Sequence, residues 1–113
     1  MTDIRPQLTR LQCIQRTVAE YYQLLLPAMI SDSKERKYAH PRQLSMYLCR
    51  KLVHCTLENI GSVHMRTHHA VHFAEVAVSE RIDTEPAFAV TVAYLRGLCS
   101  ERLASLELPL FSK

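Results

Sequence analysis

The sequence predicts an all-α fold, a helical bundle that contains a helix-turn-helix, preceded by a long N-terminal helix and closed by a C-terminal helix. Only 2 of the 113 residues are Gly, so glycine-rich phosphate loops are absent and two-residue hairpin turns are scarce. Apolar residues recur at steps of three and four, and Pro or Thr stands where several of these runs begin. A chain of this length fits one domain, residues 1–113.

Residues 1–30 are predicted to form a long amphipathic helix followed by a short one. Pro6 is tolerated only in a first helical turn, so the long helix is expected to begin near it. Pro27 interrupts the pattern and can open a short helix that continues through Ile30. The apolar positions of the long helix alternate by four and three: Ile4, Leu8, Leu11, Ile14, Val18, Tyr21 and Leu25.

Residues 31–40 are predicted to form a basic loop, because the run from Ser31 to Lys37 contains no apolar side chain. Residues 31–72 carry seven basic and three acidic side chains, whereas the rest of the chain carries seven and eight. The positive excess therefore lies in the middle third of the chain. This pattern is expected of a contact surface for a polyanion, although a solvated face has the same composition.

Residues 41–83 are predicted to form the helix-turn-helix core. One helix is expected to open at Pro41 and to run to about His54. Thr56 can cap a short helix, the segment Gly61–Arg66 can form a tight connection, and Thr67 can cap the next helix. The predicted buried positions of these three helices are Leu44, Leu48 and Leu52, then Leu57 and Ile60, then Val71, Ala74, Val78 and Ile82.

Residues 84–113 are predicted to form a C-terminal helix and a tail. Thr84 is expected to cap the helix, with Pro86 in its first turn. The inward positions at helical spacing are Phe88, Val92, Leu95, Cys99, Leu103 and Leu106.

A short helix, a tight connection and a second helix with a polar face, beside a basic loop, form the plan of a helix-turn-helix reader of DNA. Several segments also match a known family in order and spacing: residues 14–22, residues 41–48, Thr56-Leu57 with Ile60-Gly61, and Arg66-x-His68-x-x-Val71. From about Leu11 to Ile82 the chain resembles the C-terminal DNA-binding domain of the bacterial replication initiator DnaA. The last helix is compatible with that domain.

The resemblance implies a role for each matching residue. Arg42 and Gln43 would hold the phosphate backbone, because the family uses its Pro-Arg-Gln segment in that way. The basic residues Lys34, Arg36 and Lys37 correspond to a loop that sends arginine into the minor groove. The recognition helix would enter the major groove, where Arg66 is expected to face phosphates and His68 and His69 to read base edges. Thr67, and His72 on the same histidine face, are the further DNA-binding candidates of this helix.

The recognition segment departs from the family pattern. The family has Arg-Asp-His-Thr-Thr-Val, and this chain has Thr67, His69 and Ala70 in place of the Asp and the two Thr. The connection is one residue shorter, with His64-Met65 in place of a Gly-Gly turn. We expect docking to survive these changes better than sequence preference, because phosphate contacts position the protein and base contacts specify the site.

The histidines also invite a metal interpretation, since His64, His68 and His72 are spaced four apart and Cys55 lies nearby. His64 precedes the proposed cap, so only His68 and His72 share a helical face, and no further ligand at a familiar spacing completes the set. We expect no metal and no cofactor. The sequence shows no catalytic constellation, so we expect that the chain is not an enzyme.

These observations and the resemblance predict a stand-alone bacterial protein of the cytoplasm that binds double-stranded DNA with a sequence preference. It would act as a regulator or accessory factor, in replication or in transcription regulation. No apolar stretch reaches the ~20 residues that span a bilayer, so no membrane partner is expected. The alternative is a helical protein-interaction or dimerisation module with a decayed DNA face. In that case the seam from Ile4 to Leu25 on the N-terminal helix would pair in a homodimer or with another protein.

Overall fold

The computed structural model describes residues 3–106, and within this range all regular structure is helical. The all-α prediction is confirmed. Met1, Thr2 and the predicted tail at 107–113 lie outside the described residues. The helices, in chain order, are α1 (Arg5–Tyr21), α2 (Leu26–Met29), α3 (Arg36–Leu52), α4 (Leu57–Val63), α5 (His68–Thr84) and α6 (Pro86–Leu106).

Helix α3 is the centre of the bundle and contacts each of the other described helices. It packs most closely on α5, while α1 lies against α3, α4 and α6. The predicted inner faces of α3 to α6 supply most of the core. The members of these faces with no exposed surface are Leu44, Leu48, Ile60, Val71, Ala74, Val78, Leu95 and Cys99. The helical periodicity therefore identified the core because each helix buries one stripe.

Helix α1 buries only the middle of its predicted seam. Leu11, Ile14 and Val18 have no exposed surface and lie in the core of the chain itself. The two ends of the seam, Ile4 and Leu25, are exposed by 36% and 78%. Ile4 precedes α1, and Leu25 follows Gln23, a left-handed residue just after the end of α1. Neither residue therefore continues the buried stripe.

The predicted start of α3 at Pro41 is wrong, because the helix begins at Arg36 and contains the proline in its second turn. The carbonyl of Glu35 accepts from the Tyr38 and Ala39 amides at 3.0 and 2.8 Å, which closes the first turn upstream of the proline. Residues 36–40 are thus helical, and only the first half of the predicted basic loop is non-helical.

Two of the predicted N-caps are confirmed. The hydroxyl of Thr56 accepts from the Asn59 amide at 3.1 Å, and that of Thr67 accepts from the Ala70 amide at 3.3 Å. The predicted cap at Thr84 is wrong, because this residue ends α5 and its hydroxyl donates back to the Glu80 carbonyl at 3.0 Å.

Two smaller predictions are also corrected. Helix α4 continues through Gly61 to Val63, so the connection is shorter than the predicted segment Gly61–Arg66. Leu106, predicted to face inward, is 47% exposed at the end of α6.

None of the helices in residues 3–106 is both long enough and apolar enough to traverse a bilayer.

Candidate nucleic-acid interface

The turn between α4 and α5 is closed by two backbone hydrogen bonds. The Arg66 amide donates to the Gly61 carbonyl at 2.8 Å, and the Met65 amide donates to the Ser62 carbonyl at 3.1 Å. This is a Schellman pattern, which requires a left-handed residue after the helix cap, and Met65 takes that role with φ 58°. The turn is thus closed without a Gly-Gly pair.

Gly61 is the residue that lets α4 and the start of α5 approach each other. A Cβ atom at this position would lie 2.5 Å from the Arg66 carbonyl oxygen and 3.0 Å from that of Thr67. Both contacts are with backbone, which cannot swing away as a side chain does. The close packing of the two helices therefore depends on the missing side chain.

Helix α5 presents the predicted reading residues to solvent. Val71, Ala74 and Val78 fix its inner side, and the opposite side exposes His68, His69 and His72. The rings of His68 and His69 are in contact, with their centroids 4.1 Å apart and their planes inclined by 40°. Thr67 is exposed as well, but its hydroxyl is engaged in the cap of α5.

Two apolar members of this exposed side are not predicted from the sequence. Phe73 is 64% exposed and Val76 is 46% exposed. Both fall out of phase with Val71, Ala74 and Val78, and that mismatch is the signal that would have placed them outside the core.

Arg42 holds the polypeptide that precedes α3. Its guanidinium donates to the carbonyls of Met29, Ser31 and Ser33 at 3.0, 2.9 and 3.1 Å, and the side chain is only 7% exposed. Burial, and then the charge of Arg66, lower the pKa of Arg42. The structure thus gives Arg42 a positioning role for the segment 29–33.

Arg66 reaches the same segment from the turn before α5. Its guanidinium donates to the Ser31 carbonyl at 2.5 Å and to the Met65 carbonyl at 3.0 Å. Ser31 therefore accepts from two arginines, one on α3 and one at the turn. This shared acceptor ties the basic segment to the helix-turn-helix.

The predicted basic residues Lys34, Arg36 and Lys37 are exposed. Lys34 lies in the loop, whereas Arg36 and Lys37 lie in the first turn of α3. The Lys37 ammonium sits 5.0 Å from the ring centroid of Tyr38. Gln43 is half-buried and lines a shallow depression between α3 and α5, together with Arg42, Met46, Arg66, His69, Ala70 and Phe73.

A buried histidine, His64, is the C-cap residue of α4 and begins the turn to α5. Its Nδ1 lies 2.7 Å from the Ile60 carbonyl and its Nε2 lies 2.7 Å from the Ser45 hydroxyl. A carbonyl only accepts, so Nδ1 carries the proton and Nε2 accepts from Ser45. Burial, and then the charges of Arg42 and Arg66, lower the pKa of His64 to about 4. The ring is therefore neutral at pH 7.

Gln15 on α1 completes this support, which the sequence analysis did not find. Gln15 is 2% exposed, and its side-chain amide donates to the carbonyl of Val63, the last residue of α4, at 2.6 Å.

The three histidines of the metal interpretation have different surroundings. Both ring nitrogens of the buried His64 are bonded to protein groups, whereas His68 and His72 are exposed. Within residues 3–106, no group of three or more His, Cys, Asp or Glu side chains is arranged to hold a metal ion.

A short helix, a turn closed over a glycine and a second helix with an exposed N-terminal side define a helix-turn-helix domain. The family model described as bacterial DnaA protein helix-turn-helix matches residues 11–75. The chain therefore belongs to this family, and its helix-turn-helix is a DNA-binding domain of the DnaA type. The resemblance predicted from the sequence is confirmed.

Curated relatives agree with this assignment. The chromosomal replication initiator protein DnaA of Magnetococcus marinus is 37% identical over 86 residues, which cover 75% of this chain and 19% of the relative. The protein of the same name from Symbiobacterium thermophilum is 33% identical over 93 residues, covering 81% and 20%. The chain thus spans about a fifth of the length of these relatives.

A solved structure has the same fold. It is described as the crystal structure of a DNA replication initiation factor, and it superimposes with a TM-score of 0.79 at 27% identity. The match covers 88% of this chain and 30% of that chain. The fold similarity therefore extends well beyond the helix-turn-helix itself.

Proposed function

We propose that the chain binds double-stranded DNA with a sequence preference and serves as a regulator or accessory factor without catalytic activity. The N-terminal part of α5 would enter the major groove, and the segment with Lys34, Arg36 and Lys37 would contact phosphates or the minor groove. The observation that carries the proposal is the double attachment of Ser31 to Arg42 and Arg66, because it holds the start of the basic segment next to the turn that precedes α5.

The burial of α1 supports this proposal over a dimerisation module. A seam that pairs with a second protein needs exposed apolar side chains, yet Leu11, Ile14 and Val18 have no exposed surface. They are already in contact with the core of the same chain. The N-terminal helix thus stabilises the domain, and the exposed large apolar residues of the seam are Ile4, Tyr21 and Leu25.

The phosphate contacts are tested by the salt dependence of binding. We expect affinity for a random duplex to fall with salt at a log-log slope of about −3, because Lys34, Arg36 and Lys37 would each displace about one counterion. Arg42 and Arg66 add little to this slope, since their guanidiniums are engaged with carbonyls. Fluorescence anisotropy over a range of salt concentrations measures it.

A matched pair of variants makes the test specific. Lys34→Ala should reduce the slope by about one, as expected for a lost phosphate contact. Arg96→Ala removes an exposed cation from α6 and should leave the slope unchanged. Equal slopes for the wild type and Lys34→Ala would remove Lys34 from the interface, and a salt-independent affinity would refute the proposed surface.

The substitutions at residues 67, 69 and 70 bear on which DNA sequence the chain would prefer. Thr67, His69 and Ala70 present different donors and acceptors from the Asp and Thr residues of the family. Each lost base contact typically removes about 1 to 3 kcal/mol of discrimination. We therefore expect the family's own box to bind little better than random duplex at ~0.15 M salt, while a different short site is selected from a random library. A hundredfold preference for the family's box would refute this assignment.

A further inference from the structure

The exposed side of α5 combines imidazoles with large apolar side chains. His69, Phe73 and Val76 follow one another at steps of four and three, so they lie on one helical side, opposite the fully buried Val71 and Ala74. Phe73 is exposed over 64% of its surface. A phenyl ring this accessible is expected to gain from contact with an apolar group of a ligand.

Phe73 borders the depression between α3 and α5. It shares this lining with His69 and Ala70 on its own helix and with Gln43 and Met46 on α3. The apolar ring therefore lies within the surface proposed above for duplex DNA, beside a predicted phosphate-contacting residue. It is not part of a separate patch on another side of the molecule.

The position of Phe73 along α5 also suits a base contact. It is the sixth residue of the helix, about 8 Å along the axis from His68. The major groove is about 12 Å wide and about 8.5 Å deep, so a helix that enters with its N-terminal end brings both residues within the groove. The apolar group that the groove itself presents is the C5-methyl group of thymine.

We propose that Phe73 determines specificity by packing on the methyl group of a thymine in the major groove, next to the base contacted by His69. This inference rests on the proposed function and adds an apolar contact to the polar reading residues. It assigns the chain a preference for thymine that the resemblance to the family does not supply, because Phe73 lies outside the family's Arg-Asp-His-Thr-Thr-Val segment.

The experiment replaces thymine by deoxyuridine in a duplex selected from a random library. Uracil keeps both hydrogen-bonding edges of thymine and lacks only the methyl group, so it isolates the apolar contact. We expect one or two positions at which uracil weakens binding of the wild-type chain about fourfold, the factor that corresponds to one buried methylene-sized group. For Phe73→Ala, uracil and thymine should bind equally at those positions.

Two further variants separate the contact from general effects. Phe73→Leu keeps an apolar side chain and should retain part of the sensitivity to uracil. Tyr94→Ala removes an exposed aromatic ring from α6, near Tyr21 and away from the depression, and should retain all of it. Phe73 is largely exposed, so we expect its variants to keep the helical circular dichroism spectrum of the wild type.

The outcomes are distinguishable. Binding to duplex that is insensitive to uracil at every position, or equal sensitivity in the wild type and Phe73→Ala, would overturn this inference and leave the proposed function standing. Absence of any binding to duplex at low salt would overturn both. Loss of the sensitivity in Tyr94→Ala would show that the effect does not come from the proposed contact.

Discussion

Acidification is expected to destabilise the domain through His64. The ring is fully buried between the Ser45 hydroxyl and the Ile60 carbonyl, an arrangement that suits the neutral imidazole. Protonation would place a charge in the core near Arg42 and Arg66, and the folded-state pKa is accordingly lowered from 6.5 to about 4. The unfolded chain therefore binds the proton more readily than the folded domain does.

The size of the effect follows from these two pKa values. The stabilising contribution is fully present above pH 6.5, declines as the pH falls towards 4 and is lost below it. Over the whole interval it amounts to about 3 kcal/mol, and between about pH 7 and pH 5 it amounts to about 2 kcal/mol. That is a large share of the ~5 to 15 kcal/mol that typically stabilises a domain.

Urea unfolding followed by circular dichroism measures this loss at the two pH values. The control is His64→Gln, which keeps a polar side chain but does not titrate, and whose stability should vary less with pH by about 2 kcal/mol. His40, whose pKa is lowered mainly by burial, acts in the same direction and is present in both proteins.

An NMR titration of the wild type gives an independent readout. The His64 ring should remain neutral, with the proton on Nδ1, down to about pH 5. A His64 pKa near 6.5, or equal pH dependence of stability in the wild type and His64→Gln, would refute the buried hydrogen-bonded arrangement.

Other predictions concern the turn and the arginine that holds the basic segment. Gly61→Ala should destabilise the domain by about 1 to 3 kcal/mol, because the added methyl group meets backbone atoms. Gly97→Ala, in open space within α6, should stabilise the domain by about 0.5 to 1 kcal/mol. Thermal unfolding of the two variants tests this, and similar midpoints would contradict it. Met65→Gly should raise the free energy of unfolding in urea by about 1 kcal/mol, since glycine adopts the left-handed conformation freely. A decrease would show that the exposed Met65 side chain makes a stabilising contact. Arg42→Ala should lower stability and weaken binding to all duplexes about equally, because the hydrogen bonds of Arg42 position the segment 29–33. Fluorescence anisotropy with selected and random duplexes measures this, and weaker binding of the selected duplex alone would contradict it.

The elements that the sequence predicted are those specified by local chemistry. Thr56 and Thr67 were found because a cap is formed within three residues, and Val71, Ala74 and Val78 because their spacing repeats with the helix. These signals need no knowledge of the rest of the fold.

The start of α3 was missed for a physical reason. A proline is expected at the first helical position, where its missing amide leaves no bond unmade, and Pro41 fits that expectation. The turn upstream is instead closed by the Glu35 carbonyl, which accepts from the Tyr38 and Ala39 amides. Nothing in the composition of residues 31–37 signals this turn.

The supports of the interface could not be predicted, because their partners are distant in sequence. Gln15 bonds to Val63, and Ser45 bonds to His64, across separations that only the packed bundle brings together. Arg42 was expected to contact the phosphate backbone, and its burial depends on carbonyls of a preceding segment that is distant from it in sequence.

The shared carbonyl of Ser31 has a consequence for the length of a DNA site. Because Arg42 and Arg66 both donate to it, the start of the basic segment is held at a set distance from the start of α5, the helix proposed to read the bases. A duplex gripped by both would have to present its two contact points at that span. Inserting a single base pair between them would put one out of reach and rotate it around the DNA axis, so the protein would tolerate a changed base more readily than a changed spacing.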